Sequence, residues 1–267
     1  MSRTTSGGPR TATQLFEDAH AEGVLSPAGL QALTVVDLGA QIQAGLGVRV
    51  EDVQASEVVL VTVMPDDSGS ISTSGHTKTV CDGHNLVLDS LLASKQKDGV
   101  LFHTRYLNGQ VLNPYRPLED VVRMHSGNYR ADQGTPLYDQ AVVLLGTVLA
   151  KSQEFSANGV PVRTVTLLIT DGADMHSSRA QAKDVAAVVK DLRRAENHIV
   201  AAMGIDDGST NFRRVFQQMG IEDAWILTPG QSEREIRSAF QVFSQSAVKV
   251  SQGGASFSRT ALGGFGR

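Results

Sequence analysis

Asp66, Ser68 and Ser70 stand at alternating positions in the segment Pro65-Asp66-Asp67-Ser68-Gly69-Ser70-Ile71. On extended backbone, residues i, i+2 and i+4 face the same way, so one carboxylate and two hydroxyls converge on one point. Gly69 lets the chain turn tightly beside that point. Two further oxygen donors occur at matching places downstream. Thr135 lies in Gly134-Thr135-Pro136-Leu137-Tyr138-Asp139, which opens a helix, and Asp171-Gly172 closes a long buried strand. All five donors are oxygens, two carboxylates and three neutral hydroxyls, and such a set suits a hard cation. The competing account is structural: Asp66, Ser68, Ser70 and Thr135 as helix caps, Asp171 as a turn former. Capping is the simpler reading of any one of them. All five together, in this order and each at a strand end or helix start, favour a site.

Such residues meet only if the elements carry them to one edge. Val58 to Met64 is a continuous β-branched and apolar run, the signature of a strand buried on both faces. A helix follows around Asn85 to Ser94. Val100 to Tyr106 and Gly109 to Leu112 are two strands joined by Asn108-Gly109, a strong hairpin signal. Further along come a helix from Leu137 to Ala150, a strand from Val162 to Thr170, a helix from Arg179 to Glu196 and a strand from Ile199 to Gly204. Asn211 to Met219 is a short helix, Ala224 to Leu227 a strand, and Ser232 to Val250 the last helix. The alternation predicts a doubly wound α/β fold: a mostly parallel central sheet, one antiparallel edge strand and helices on both faces. Open sheets of this kind take ligands at the carboxyl ends of their strands. Residues 57–250 make up this domain.

Residues 1–11 are polar and expected to be disordered. Residues 12–56 form a helical extension of one or two amphipathic helices, with Ser26-Pro27 as cap and first turn, packing on the main domain. Residues 251–267 are Gly/Ser-rich and expected to be a flexible tail.

The ordered set Asp66-x-Ser68-x-Ser70, Thr135, Asp171 resembles the metal-ion-dependent adhesion site of von Willebrand factor A domains. The Gly-Thr-Pro-Leu-Tyr-Asp spelling is similar to bacterial members of that family, and the resemblance covers roughly residues 57–250. It implies that Ser68 and Ser70 coordinate an ion directly, that Thr135 joins them in the ligand-bound state, and that Asp66 and Asp171 act largely through water. Two carboxylates and three hydroxyls are too few to cage Ca²⁺, so Mg²⁺ or Mn²⁺, which keep several waters, fit better. Because the hydroxyl ligands are neutral, the ion stays electrophilic and can accept an Asp or Glu from a partner protein. The resemblance further implies an adaptor role in a bacterial multi-protein system, with a component of an AAA+ ATPase system among the partners.

The remaining signals are exclusions. A net charge of -4 with 5% aromatic residues leaves no footprint for nucleic acid or anionic membrane. The single cysteine, Cys81, rules out an internal disulfide and a Cys-ligated zinc site. No apolar leader or spanning segment is read, and the expected compartment is the cytoplasm. None of the seven histidines pairs at helical metal spacing, and His176 is read as a surface loop residue near the rim. Asp67 is read as a solvated carboxylate, Asp206 and Asp207 as turn residues, and Trp225 as core. No phosphate-binding loop or nucleophile elbow occurs. The expected function is non-enzymatic, metal-dependent protein binding. The alternatives are a Mg²⁺-dependent phosphohydrolase using Asp66 or Asp171, and a scaffold with a vestigial site.

Overall fold

The computed structural model describes residues 10–34, 38–253 and 258–265. Strands β1 (Val58–Met64), β2 (Val100–Arg105), β3 (Val111–Pro117), β4 (Val162–Thr170), β5 (His198–Gly204) and β6 (Ile226–Leu227) form one sheet in the order β3-β2-β1-β4-β5-β6. Every pairing is parallel except that of β2 with β3. β1, β4 and β5 are buried along their whole length, which is why apolar residues stand on both of their faces. At the hairpin between β2 and β3, Gly109 has φ 97°, a conformation that glycine adopts without steric penalty.

The helices are α1 (Ala12–Ala21), α2 (Pro27–Leu33), α3 (Leu38–Gly45), α4 (Gly69–Thr73), α5 (Thr77–Leu92), α6 (Leu137–Ser156), α7 (Ala182–Arg194), α8 (Phe212–Gln218), α9 (Glu233–Gln252) and α10 (Arg259–Leu262). α5 and α9 cover one face of the sheet, α6 and α7 the other. Adjacent residues of β2 display the two layers. Thr104 Oγ1 lies 2.8 Å from His84 Nε2 of α5, whereas the His103 ring packs beside Gly45 of α3 and Thr147 of α6.

α6 is buried around nearly its whole circumference, and a helix apolar on all sides has to be covered on all sides. The sheet covers one side; α1, α2 and α3 pack on it from outside, with Leu33 and Ile42 set against Gly146. Polar anchors fix this extension. The Ser26 hydroxyl accepts from Gly29 N–H at 3.1 Å and donates to Asp191 of α7 at 2.7 Å, and the buried Lys151 ammonium donates to the Val48 carbonyl. Both sheet edges are met by flanking chain: Val48 N–H donates to Tyr115 O at 2.9 Å beside β3, and Phe265 N–H to Ala224 O at 3.0 Å beside β6.

Several elements differ from the sequence expectation. Among its described residues the extension holds three short helices, not one or two, with Gly23 and Gly47 at positive φ around them. The helix expected around Asn85 begins at Thr77; Gly83 in its middle lets Phe240 of α9 approach, since a Cβ there would lie 2.2 Å from the ring. The strand expected at Ala224 shortens to Ile226–Leu227, because Asp223–Trp225 is a 3-10 turn.

The tail departs most from expectation. α9 runs on to Gln252, Arg259 pairs with Glu222 and Glu196, and Phe265 stands edge-on to Trp225 at 5.2 Å. Residues 1–9, 254–257 and 266–267, and with them Phe257, lie outside the described residues. Among the described residues no helix is long and apolar enough to cross a membrane.

Candidate metal centre

β1 has β2 on one side and β4 on the other, so the chain's connections diverge at the carboxyl ends of β1 and β4. That is the crevice where doubly wound sheets place ligands. Met64 pairs with Leu168 in register, Asp66 follows the end of β1, and Asp171 is the first residue past β4.

Asp66 is fully buried. One of its oxygens, Oδ1, accepts from Ser68 N–H at 2.7 Å; the other, Oδ2, accepts from the Thr170 hydroxyl at 2.7 Å and from Asp171 N–H at 3.4 Å. The Ser70 hydroxyl donates to Asp171 Oδ1 at 2.6 Å, and Ser68 Oγ lies 2.8 Å from Ser70 Oγ. A serine has one hydroxyl proton. With Ser70's committed to Asp171, Ser68 is the donor in the second bond, and the protons run toward the carboxylate. Oxygen lone pairs on Ser68 and Ser70 are left for a cation. The structure thus joins four of the five residues in one hydrogen-bonded chain.

Ser68 occupies the N-cap position of α4, yet its side chain makes no capping bond to the helix. The same holds at α6, whose cap position is Pro136. The N–H groups of Tyr138 and Asp139 in its first turn are satisfied by Ser177 Oγ at 3.0 Å each. Neither Ser68 nor Thr135 is therefore spent on capping, and the structural account of these residues loses its main support.

Thr135 is 6% exposed and is tied to the others through the main chain. Ser68 forms an isolated bridge with Gln133. Gly69 N–H donates to Gln133 O, and Gln133 N–H to Asp67 O, both at 3.0 Å. Thr135 N–H donates to His176 Nδ1 at 2.8 Å, while Thr135 O accepts from Met175 N–H at 3.1 Å. Asp139 fixes the same loop, taking N–H groups of Ser178, Arg179 and Ala180 at 3.0, 3.1 and 2.7 Å.

Among the described residues neither acid is paired with Lys or Arg, and the favourable charge beside Asp171 is the minor one of His76. Burial raises the Asp66 carboxyl against the pull of its Thr170 and Ser68 hydrogen bonds. Burial likewise pushes Asp171 up to about 6, opposed by Ser70 and reinforced by the Asp66 charge. The ion pairs among the described residues all lie elsewhere. A cation would offset this mutual repulsion. Among the described residues no three His, Cys, Asp or Glu side chains converge, so a zinc-type ligand set is absent. What converges is two carboxylates with neutral hydroxyls, which fits a hard ion that keeps part of its water.

Asp67 corrects the sequence reading. It is 1% exposed and accepts from Asn108 N–H at 2.9 Å, and burial pushes it up to about 7. Alternation turns it away from Asp66, under the β2–β3 hairpin. Asp206 and Asp207 make the turn bonds expected of them, to Gly208 N–H at 2.9 Å and to Ser209 and Thr210 N–H at 2.8 and 2.6 Å. Sequence reasoning missed Thr170, Gln133, and Tyr129, whose hydroxyl donates to the Asp66 carbonyl. It also missed how His176 holds Thr135. Only Thr170, beside a chosen residue, carried any local signal.

No protein-family model matches the chain, and no curated protein matches it. Solved structures match in fold. The pilus adhesin SpaC from Lactobacillus rhamnosus GG, in its open conformation, aligns with a TM-score of 0.53 at 13% identity, covering 74% of this chain and 31% of that one. Proximal thread matrix protein 1 from the mussel byssus aligns with a TM-score of 0.50 at 17% identity, covering 72% of this chain and 48% of that one. The SpRpn10 VWA domain aligns at 0.49 and 10% identity, over 72% and 96%. The chain spans about half of the mussel protein and about a third of the adhesin. At these identities the likeness is one of fold: the architecture is that of a von Willebrand factor A domain, Rossmann-like, with one antiparallel pair at its edge.

Proposed function

We propose that this chain is a metal-dependent protein-binding module, acting as an adaptor in the cytoplasm of a bacterium, and that it is not an enzyme. Asp66, Ser68, Ser70, Thr135 and Asp171 would hold one Mg²⁺ or Mn²⁺, with Ca²⁺ less suited to so few charges. The bound ion would supply a Lewis acid to which a carboxylate oxygen of an Asp or Glu of the partner could coordinate. The protein's own part is to orient the hydroxyl oxygens, keep two acids buried beside them and leave an approach open; Ser70 is exposed. The carrying observation is the Ser68–Ser70–Asp171 hydrogen-bonded chain on a residue that could cap α4 and does not. A component of an AAA+ ATPase system as partner follows from the family resemblance of the motif.

The test is affinity capture from native cell extract with Mg²⁺ and with chelator in parallel, using the wild type and the double variant Asp66→Ala, Ser68→Ala. Capture should require both metal and the intact motif, with the circular dichroism spectrum of the variant unchanged. Equal capture in chelator would assign binding to another surface.

The phosphohydrolase reading gains one observation: Asp171, at about 6, has the raised affinity for protons that a general acid or base needs. Against it, both oxygens of Asp66 are already engaged by protein donors. Turnover of p-nitrophenyl phosphate that needs Mg²⁺ and is lost in Asp171→Asn would favour the enzyme.

A further inference from the structure

β4 carries threonines at 164, 166 and 170 on one side of the strand, and their hydroxyls have different fates. Thr164 Oγ1 lies 2.8 Å from His198 Nδ1. Thr166 Oγ1 is buried without a hydrogen-bond partner. Thr170 Oγ1 meets Asp66 Oδ2 at 2.7 Å and Gly172 O at 2.9 Å, and accepts from Gly172 N–H at 3.1 Å.

The single Thr170 proton faces two acceptors. The carboxylate is nearer, and a hydrogen bond to an ionised oxygen is about twice as strong as one to a neutral carbonyl. Thr170 is fully buried, so no water replaces that donor. Ser68 N–H holds Oδ1 of the same carboxylate at 2.7 Å. Asp66 is gripped at both oxygens, Oδ1 by its own loop and Oδ2 by Thr170 at 2.7 Å and, at a longer 3.4 Å, by Asp171 N–H; the Thr170 hydroxyl also accepts the N–H that follows Asp171 in the turn.

We propose that Thr170 is a positioning residue of the metal centre: its hydroxyl fixes the Asp66 carboxylate and locks it to the Asp171–Gly172 turn, so that one side chain sets the relative placement of both acids. This rests on the metal reading given above. Outer partners that orient metal-site ligands typically contribute about 10–100-fold in affinity.

The experiment measures Mn²⁺ affinity of the full chain, by calorimetry and by the free-ion paramagnetic resonance signal, for wild type, Thr170→Val, Thr170→Ser and Thr166→Val. Thr170→Val is expected to weaken Mn²⁺ binding about 10–100-fold. Thr170→Ser, which keeps the hydroxyl, should restore it to within a few fold. Thr166→Val, the same change on the same strand at a hydroxyl without a partner, should leave it at the wild-type value. Should Thr170→Val not fold, Thr170→Ala takes its place in the comparison. Wild-type affinity in Thr170→Val overturns the proposal, as does failure of the serine to rescue, or equal damage from Thr166→Val. A wild type that binds no Mn²⁺ instead overturns the metal reading on which the proposal stands.

Discussion

At the residue scale, the site holds acids that the fold makes reluctant to ionise. Burial raises Asp171 from the ordinary carboxylate range to about 6. A group whose folded-state value is raised contributes stability that is fully present below its unfolded value and lost as pH rises through the folded one. Without metal, Asp171 therefore favours the native state in acid and works against it above about pH 6. Asp171→Asn keeps an acceptor for Ser70 and removes the charge. In chelator at pH 7.5 it should raise the melting temperature by about 2–4 °C, what roughly 1 kcal/mol gives a chain of this size, and abolish any shift on adding Mg²⁺. Differential scanning fluorimetry reads both, and a lower melting temperature in chelator would contradict the account. Alternation was enough to pick out Asp66, Ser68 and Ser70 from the sequence, because facing the same way is a property of neighbours. Asp67 was misread for a related reason: alternation gives the direction of a side chain but not what covers it, and the hairpin carrying Asn108 arrives from 41 positions away.

At the element scale, strands with burial on both faces announced themselves, and β4 spans the residues, Val162–Thr170, that the sequence marks out for it. The N-terminal start of α5 did not, because Cys81-Asp82-Gly83-His84 lacks a clear stripe. Gly83 makes sense only with Phe240 of α9 against it. The tail was obscure for the same reason. Its glycines suggested flexibility, yet Gly263 and Gly264, at φ 76° and 108°, turn the chain so that Phe265 meets Trp225. Ending the chain after Gly253 removes the Arg259 ion pairs and that aromatic contact. The truncated chain should melt several degrees lower, at about 2–4 °C per kcal/mol lost. Emission from Trp225, 3% exposed in the intact chain, should shift to the red, while Mn²⁺ affinity stays as it was. Unchanged melting and emission would mean that the docked segment contributes nothing to the domain.

At the scale of the whole molecule, the sheet order brings residues 66–70, 135 and 171 to one edge, and the N-terminal helices let α6 be buried on every side. The strand pattern in the sequence foretold the sheet; it carried no information on which loops would be laced together, since Gln133 acts through its own main chain, and the His176 ring and the Tyr129 hydroxyl bond main-chain groups 41 and 63 positions away. The central claim is that this edge binds a divalent ion, and the most direct measurement is a titration of the chelator-stripped full chain with Mn²⁺ and Mg²⁺ by calorimetry, with thermal unfolding in parallel. The account predicts one saturable site and, at 100 times the dissociation constant, about 2.7 kcal/mol of added stability, or roughly 5–10 °C. No heat of binding and no thermal shift at millimolar Mg²⁺ and Mn²⁺ would contradict it.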